Sequence, residues 1–89
     1  MTSREVVIVN VLGLHARAAA RFVQLASRHA SRILVSRRDR TADGKSILGL
    51  LALLASQGTR LTLQAEGADE EDAVRALADL VAARFGEPR

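Results

Sequence analysis

Residues 32–55, RILVSRRDRTADGKSILGLLALLA, decide the fold. RILVSR at 32–37 alternates around Ile33 and Val35, the pattern of a half-buried strand. A turn near Asp39 leads into a weaker strand around 40–43. The pattern then changes. SILGLLALLA at 46–55 is too leucine-rich and too continuously apolar for an alternating strand, and it reads as a short helix. SQGT closes it, with Gly58 free to take the left-handed turn conformation.

Working outward, EVVIVNV at 5–11 is rich in β-branched side chains and reads as a strand. From His15 to about Arg28, Ala19, Phe22, Val23 and Ala26 fall at helical spacing. RLTLQAE at 60–66 alternates Leu61, Leu63 and Ala65 on one face. From Asp69 to Phe85, Ala73, Val74, Leu77, Leu80 and Val81 form one stripe. The acidic start of that helix, DEED, suits the positive end of its dipole, and Arg84 stands near the other end. The order is βαββαβα. Short strands and one-sided helices are satisfied together by an α+β fold, one antiparallel sheet with helices packed on one face.

A chain of 89 residues supports a single domain spanning 1–89 with a modest core. It has no cysteine, so neither a disulfide nor a thiolate metal site holds it, and no cluster of ligand residues implies a metal or cofactor. The absence of cysteine suits a reducing cytoplasm. The N-terminus reads as a strand rather than a signal peptide, and no apolar run is long enough to span a membrane. The net charge of +3 first suggests nucleic acid. Without tryptophan or tyrosine, and with only two phenylalanines, the chain lacks stacking platforms for single strands. Its basic residues are scattered apart from RRDR at 37–40, so no nucleic-acid partner is expected.

The chemistry centres on His15, in GLHARAAARF at 13–22. At the N-cap of the first helix it faces the backbone N–H groups of Ala16 and Arg17, which have no intrahelical partner. Such N–H groups bind phosphate oxygens, and the Arg17 guanidinium adds paired, charge-assisted hydrogen bonds. Gly13 allows close approach of the preceding loop. These parts suit a histidine that accepts a phosphoryl group and hands it on. A solvated or capping histidine is the bland alternative. His29, near the end of the same helix, only suits the dipole and is assigned no role.

Ser46 stands at a second helix start, where an N-cap serine is expected. A phosphate there would meet the same dipole and act as a patch of surface charge. If that helix buries Leu50, Leu53 and Leu54, then Ile47, Leu48 and Leu51 face solvent or another protein.

Together, GLHARAA at 13–19, GKSILGL at 44–50 and QGTRLTLQAEGADEEDAV at 57–74 resemble the HPr family of the bacterial phosphoenolpyruvate-dependent phosphotransferase system. The resemblance covers nearly the whole chain. It implies an open-faced β-sandwich, with a four-stranded antiparallel sheet covered by three helices. It implies that His15 is phosphorylated on Nδ1 by Enzyme I, that Arg17 binds the phosphate, and that the phosphoryl group passes to Enzyme IIA proteins. Ser46 corresponds to a regulatory site for an HPr kinase/phosphorylase, and Ile47, Leu48 and Leu51 to the docking surface. The expected protein is a monomeric covalent carrier rather than an independent enzyme. The alternatives are a nitrogen-type carrier with regulatory output, or an interaction module in which His15 is incidental. One departure stands out. Most members have proline after the arginine, and here position 18 is alanine. Losing the ring's fixed φ costs preorganisation of ~0.5–1 kcal/mol.

Overall fold

In the computed structural model, which describes residues 1–89, the hairpin over residues 32–43 forms as expected. Strand β2, Arg32–Arg37, pairs antiparallel with β3, Arg40–Asp43, in a register that sets Val35 opposite Ala42. Around them lie β1 (Thr2–Val7), α1 (Ala16–Ala26), α2 (Ile47–Leu51), β4 (Arg60–Glu66) and α3 (Glu70–Ala82), followed by a single 3-10 turn over Arg84–Gly86. The sheet order is β1-β4-β2-β3, with every pairing antiparallel. The fold class and the number of strands and helices agree with the sequence reading. The strand order does not follow from it, because local alternation says which face is buried but not which strand is the neighbour.

Alternation does its work on the core. Ile33, Val35, Leu61, Leu63 and Ala65 turn one face of the sheet inward, where they meet Ala18, Ala19, Phe22 and Ala26 of α1 and Ala73, Val74, Leu77, Ala78 and Val81 of α3. Val23 and Leu80, expected in the helix stripes, lie half-buried at the rim of this core.

Several boundaries differ from expectation: α1 ends at Ala26 rather than near Arg28, and larger differences fall in β1, α2 and α3. The first strand covers Thr2–Val7 rather than 5–11, pairing Thr2 with Ala65 and Val7 with Arg60. Ile8 still exchanges backbone bonds with Thr59 and Gly58 at 2.9 and 2.7 Å. Beyond it the ladder has no partner, and Asn10 turns its side chain inward.

The second helix covers Ile47–Leu51 rather than 46–55. Tight turns follow, with Leu53 N–H on Leu50 O and Leu54 N–H on Leu51 O, both at 3.1 Å, and Leu54 takes a left-handed φ of 55°. Guanidiniums from the β2–β3 hairpin take the freed carbonyls: Arg37 donates to Leu53 O at 2.9 Å and Leu54 O at 3.1 Å, and Arg40 to Ala52 O at 3.3 Å. Leu54, expected in the buried stripe, is therefore 69% exposed.

The last helix ends at Ala82 instead of Phe85. Arg84 and Phe85 both adopt positive φ, 60° and 53°, a conformation unfavourable for residues with a Cβ. What holds it is burial of the Phe85 ring in the core, together with an Arg21 guanidinium bond to the Phe85 carbonyl. The start of α3 differs too. Asp69 occupies the N-cap but makes no capping bond to its own helix. Its carboxylate accepts instead from Ala30 N–H at 2.9 Å, Ser31 N–H at 3.0 Å and the Ser31 hydroxyl, tying α3 to the turn before β2.

Candidate functional site

The first helix begins where the sequence places it, with His15 as N-cap in extended conformation. The His15 carbonyl accepts the Ala19 N–H at 2.8 Å, and the ring atom Nδ1 accepts the Arg17 N–H at 3.3 Å. Of the two N–H groups expected to face the imidazole, Arg17's does so within bonding distance. The Arg17 side chain is exposed. Ala18, at the departure from the family pattern, is fully buried, and its N–H makes no backbone hydrogen bond, so proline at this position would break none.

The loop leading to His15 is fixed from below. Leu14 N–H donates to Ala55 O at 2.8 Å. Gly13 has φ +68°, and a Cβ there would lie 2.6 Å from Ala55 O, so both the backbone conformation and the space exclude a larger residue. The loop thus reaches its position only by lying against the segment that follows α2.

The other side of the imidazole brings in residues that the sequence reading missed. His15 Nε2 is hydrogen-bonded to the Glu87 carboxylate at Oε2. The second carboxylate oxygen, Oε1, accepts from Asn10 Nδ2 at 2.8 Å, and the same amide donates to Gly13 O at 2.8 Å. Asn10 is completely buried, and its Oδ1 has no partner. Bonds from Asn10 and then from His15 hold the Glu87 carboxyl below its ordinary range, against the opposing effect of burial. A lone Asn in the otherwise apolar run VVIVNV at 6–11 is the one available signal. Nothing local in FGEPR announces its partner.

Ser46 caps α2 as expected, its hydroxyl accepting the Gly49 N–H at 3.0 Å. Lys45 extends back to His29 O at 2.8 Å and links the start of α2 to the end of α1. Ile47 is exposed and Leu48 is 80% exposed, so both face outward as the helix stripe implies. Leu51 does not face outward in the same way, since it packs half-buried against the core. The exposed apolar surface instead includes Leu54 and, in the loop before His15, Val11 and Leu12.

No group of histidine and acidic side chains is arranged to hold a metal ion. No helix is long and apolar enough to cross a membrane.

Residues 2–83 match the family model described as the PTS HPr component phosphorylation site. The chain is 47% identical over 87 residues to the phosphocarrier protein HPr of Neisseria meningitidis, a match covering 98% of each chain. Among solved structures it is similar to the crystal structure of HPr-C-His from Thermoanaerobacter tengcongensis, with a TM-score of 0.96 and 46% identity over the full length of both chains. A phosphocarrier protein HPr from Bacillus anthracis superposes with a TM-score of 0.84 at 37% identity, covering 88% of this chain and 93% of that one.

Proposed function

Because the chain belongs to the HPr family of phosphocarriers of the phosphotransferase system, we propose that His15 accepts a phosphoryl group from phospho-Enzyme I and delivers it to Enzyme IIA proteins. The observation that carries this reading is the placing of His15 Nδ1 at the N-terminus of α1, against the Arg17 N–H and beside an exposed guanidinium. In the transfer, the Nδ1 lone pair attacks phosphorus, and the bond to the donor breaks with its electrons staying on the donor. The Arg17 N–H then turns from ring nitrogen to phosphoryl oxygen, and the Arg17 side chain supplies the opposing charge. The reverse bookkeeping releases the group to the next protein. The carrier works in the cytoplasm as a monomer of one domain, taking the group from one protein and giving it to another.

Ile47 and Leu48 form the centre of the docking surface in this reading, with Leu48 the more exposed and half-buried Leu51 at its edge. Ser46 is the regulatory position for an HPr kinase/phosphorylase. Phosphate on its hydroxyl adds charge beside Ile47 and Leu48 without removing an acceptor from the helix start.

The test is to phosphorylate the chain with Enzyme I, magnesium and phosphoenolpyruvate, free it from the donor, and mix it with an Enzyme IIA. Passage of the phosphoryl group supports a relay. A group that stays on the chain contradicts it.

A further inference from the structure

We propose that Glu87 is a positioning residue for His15, holding the ring in the tautomer that leaves Nδ1 unprotonated and available to phosphorus. This deepens the phosphocarrier reading and rests on it for the identity of the reacting atom.

The polarity of each bond in the chain Gly13–Asn10–Glu87–His15 is fixed. Asn10 Nδ2 has two protons and two acceptors at 2.8 Å, Gly13 O and Glu87 Oε1, so its amide cannot be reversed without setting two oxygens against Oδ1. The Glu87 carboxylate can only accept, which requires a proton on His15 Nε2. With Nε2 protonated, the neutral ring carries its lone pair on Nδ1, and the Arg17 N–H donating to Nδ1 demands the same tautomer from the other side. Two independent neighbours therefore agree on which nitrogen is the nucleophile.

Glu87 is held in place for this. The Phe85 ring is buried, the Arg21 guanidinium bonds the Phe85 carbonyl, and the turn through Gly86 at φ +81° brings the carboxylate to His15 Nε2. A Cβ on Gly86 would lie 3.0 Å from the Arg21 guanidinium. The left-handed Arg84 and Phe85 are tolerated because this anchoring over-determines them.

The arrangement also balances charge during transfer. Once Nδ1 bonds to phosphorus, Nε2 keeps its proton and the ring becomes cationic, with the Glu87 carboxylate as its partner. When the N–P bond breaks, the electron pair returns to Nδ1. No proton needs to enter or leave the ring in either direction.

Two variants separate positioning from simple support. In Glu87→Ala the ring loses its acceptor and samples both tautomers. Glu87→Gln keeps the shape, but Asn10 Nδ2 claims the amide oxygen, which turns the Gln NH2 toward His15. That donor favours the wrong tautomer. Ring 15N chemical shifts of the full-length chain are measured above the imidazole titration. A single Nε2–H form is expected in the wild type, a mixture in E87A, and a shift toward Nδ1–H in E87Q. Phosphorylation by Enzyme I is expected to slow about tenfold or more in both, with E87Q no faster than E87A. Backbone amide spectra establish that each variant is folded.

An unchanged ring spectrum in E87A and E87Q would overturn the proposal, as would a slowed rate with unchanged tautomers, or a near-normal E87Q. If the wild type takes no phosphoryl group at all, the carrier reading fails, while the ring spectra still decide whether Glu87 sets the tautomer.

Discussion

Asn10 and Glu87 stand 77 positions apart and meet in a hydrogen bond of 2.8 Å. Together with the His15–Glu87 bond, this contact joins the loop that carries His15 to residues near the other end of the chain. Asn10 is fully buried, and its amide serves two acceptors at once. Asn10→Ala would leave Glu87 Oε1 without its donor, while Gly13 O would keep the His15 N–H at 3.0 Å, at a cost of roughly 1–3 kcal/mol. Urea denaturation should show that loss as a lower midpoint with an unchanged slope. A midpoint equal to the wild type's would mean that the bond is not made in solution.

Two leucines two positions apart should behave oppositely. Leu50 is fully buried, and Leu50→Ala is expected to cost about 2–5 kcal/mol of stability. Leu48 is 80% exposed, and Leu48→Ala should leave stability within about 0.5 kcal/mol. Its effect belongs to docking, where loss of an apolar anchor is expected to slow phosphorylation by Enzyme I about tenfold. Thermal melts and transfer rates on the two variants check both halves. An L48A protein that melts normally and transfers normally would remove Leu48 from the docking surface.

Ser46 variants separate its capping from its charge. Ser46→Ala removes the acceptor for the Gly49 N–H and should cost about 1 kcal/mol without adding charge. Ser46→Asp keeps an acceptor at the N-cap, so its stability should lie near the wild type's, yet it sets a carboxylate beside Ile47 and Leu48. Slower phosphorylation by Enzyme I is expected in S46D and not in S46A. The reverse order of rates would contradict control of docking by charge.

Stability should fall in acid through Asp69. Bonds from the Ser31 hydroxyl and then the Ala30 N–H lower its pKa from 3.8 to about 2. Because the folded value lies below the unfolded one, the stabilisation is fully present above about pH 4 and is lost as pH falls toward 2. Between pH 4 and 2 the melting temperature of the wild type should drop, and Asp69→Asn should drop less steeply. Parallel curves would show that Asp69 does not contribute to the acid response.

Much of this fold is legible because its elements are strongly patterned. Ile33 and Val35, or Leu61, Leu63 and Ala65, leave one reading of which face is buried, and α3 declares itself by its stripe. The N-caps His15 and Ser46 were readable because capping is local chemistry. What escaped depends on distant partners. Leu54 continues the apolar run but is turned outward by its own left-handed backbone, with the preceding carbonyls taken by Arg37 and Arg40. Phe85 fits the helical period yet leaves the helix because its ring finds the core by another route. Glu87 sits in a polar tail with no periodicity, and only the closed structure brings it to His15.

The most direct test is rapid-quench transfer of radiolabelled phosphate from phospho-Enzyme I of the same organism to the wild-type chain and to His15→Ala. A single acid-labile phosphoryl group on the wild type, absent from H15A, is the predicted result. A label of equal size on H15A, or none on the wild type with an active donor, would contradict His15 as the carrier residue.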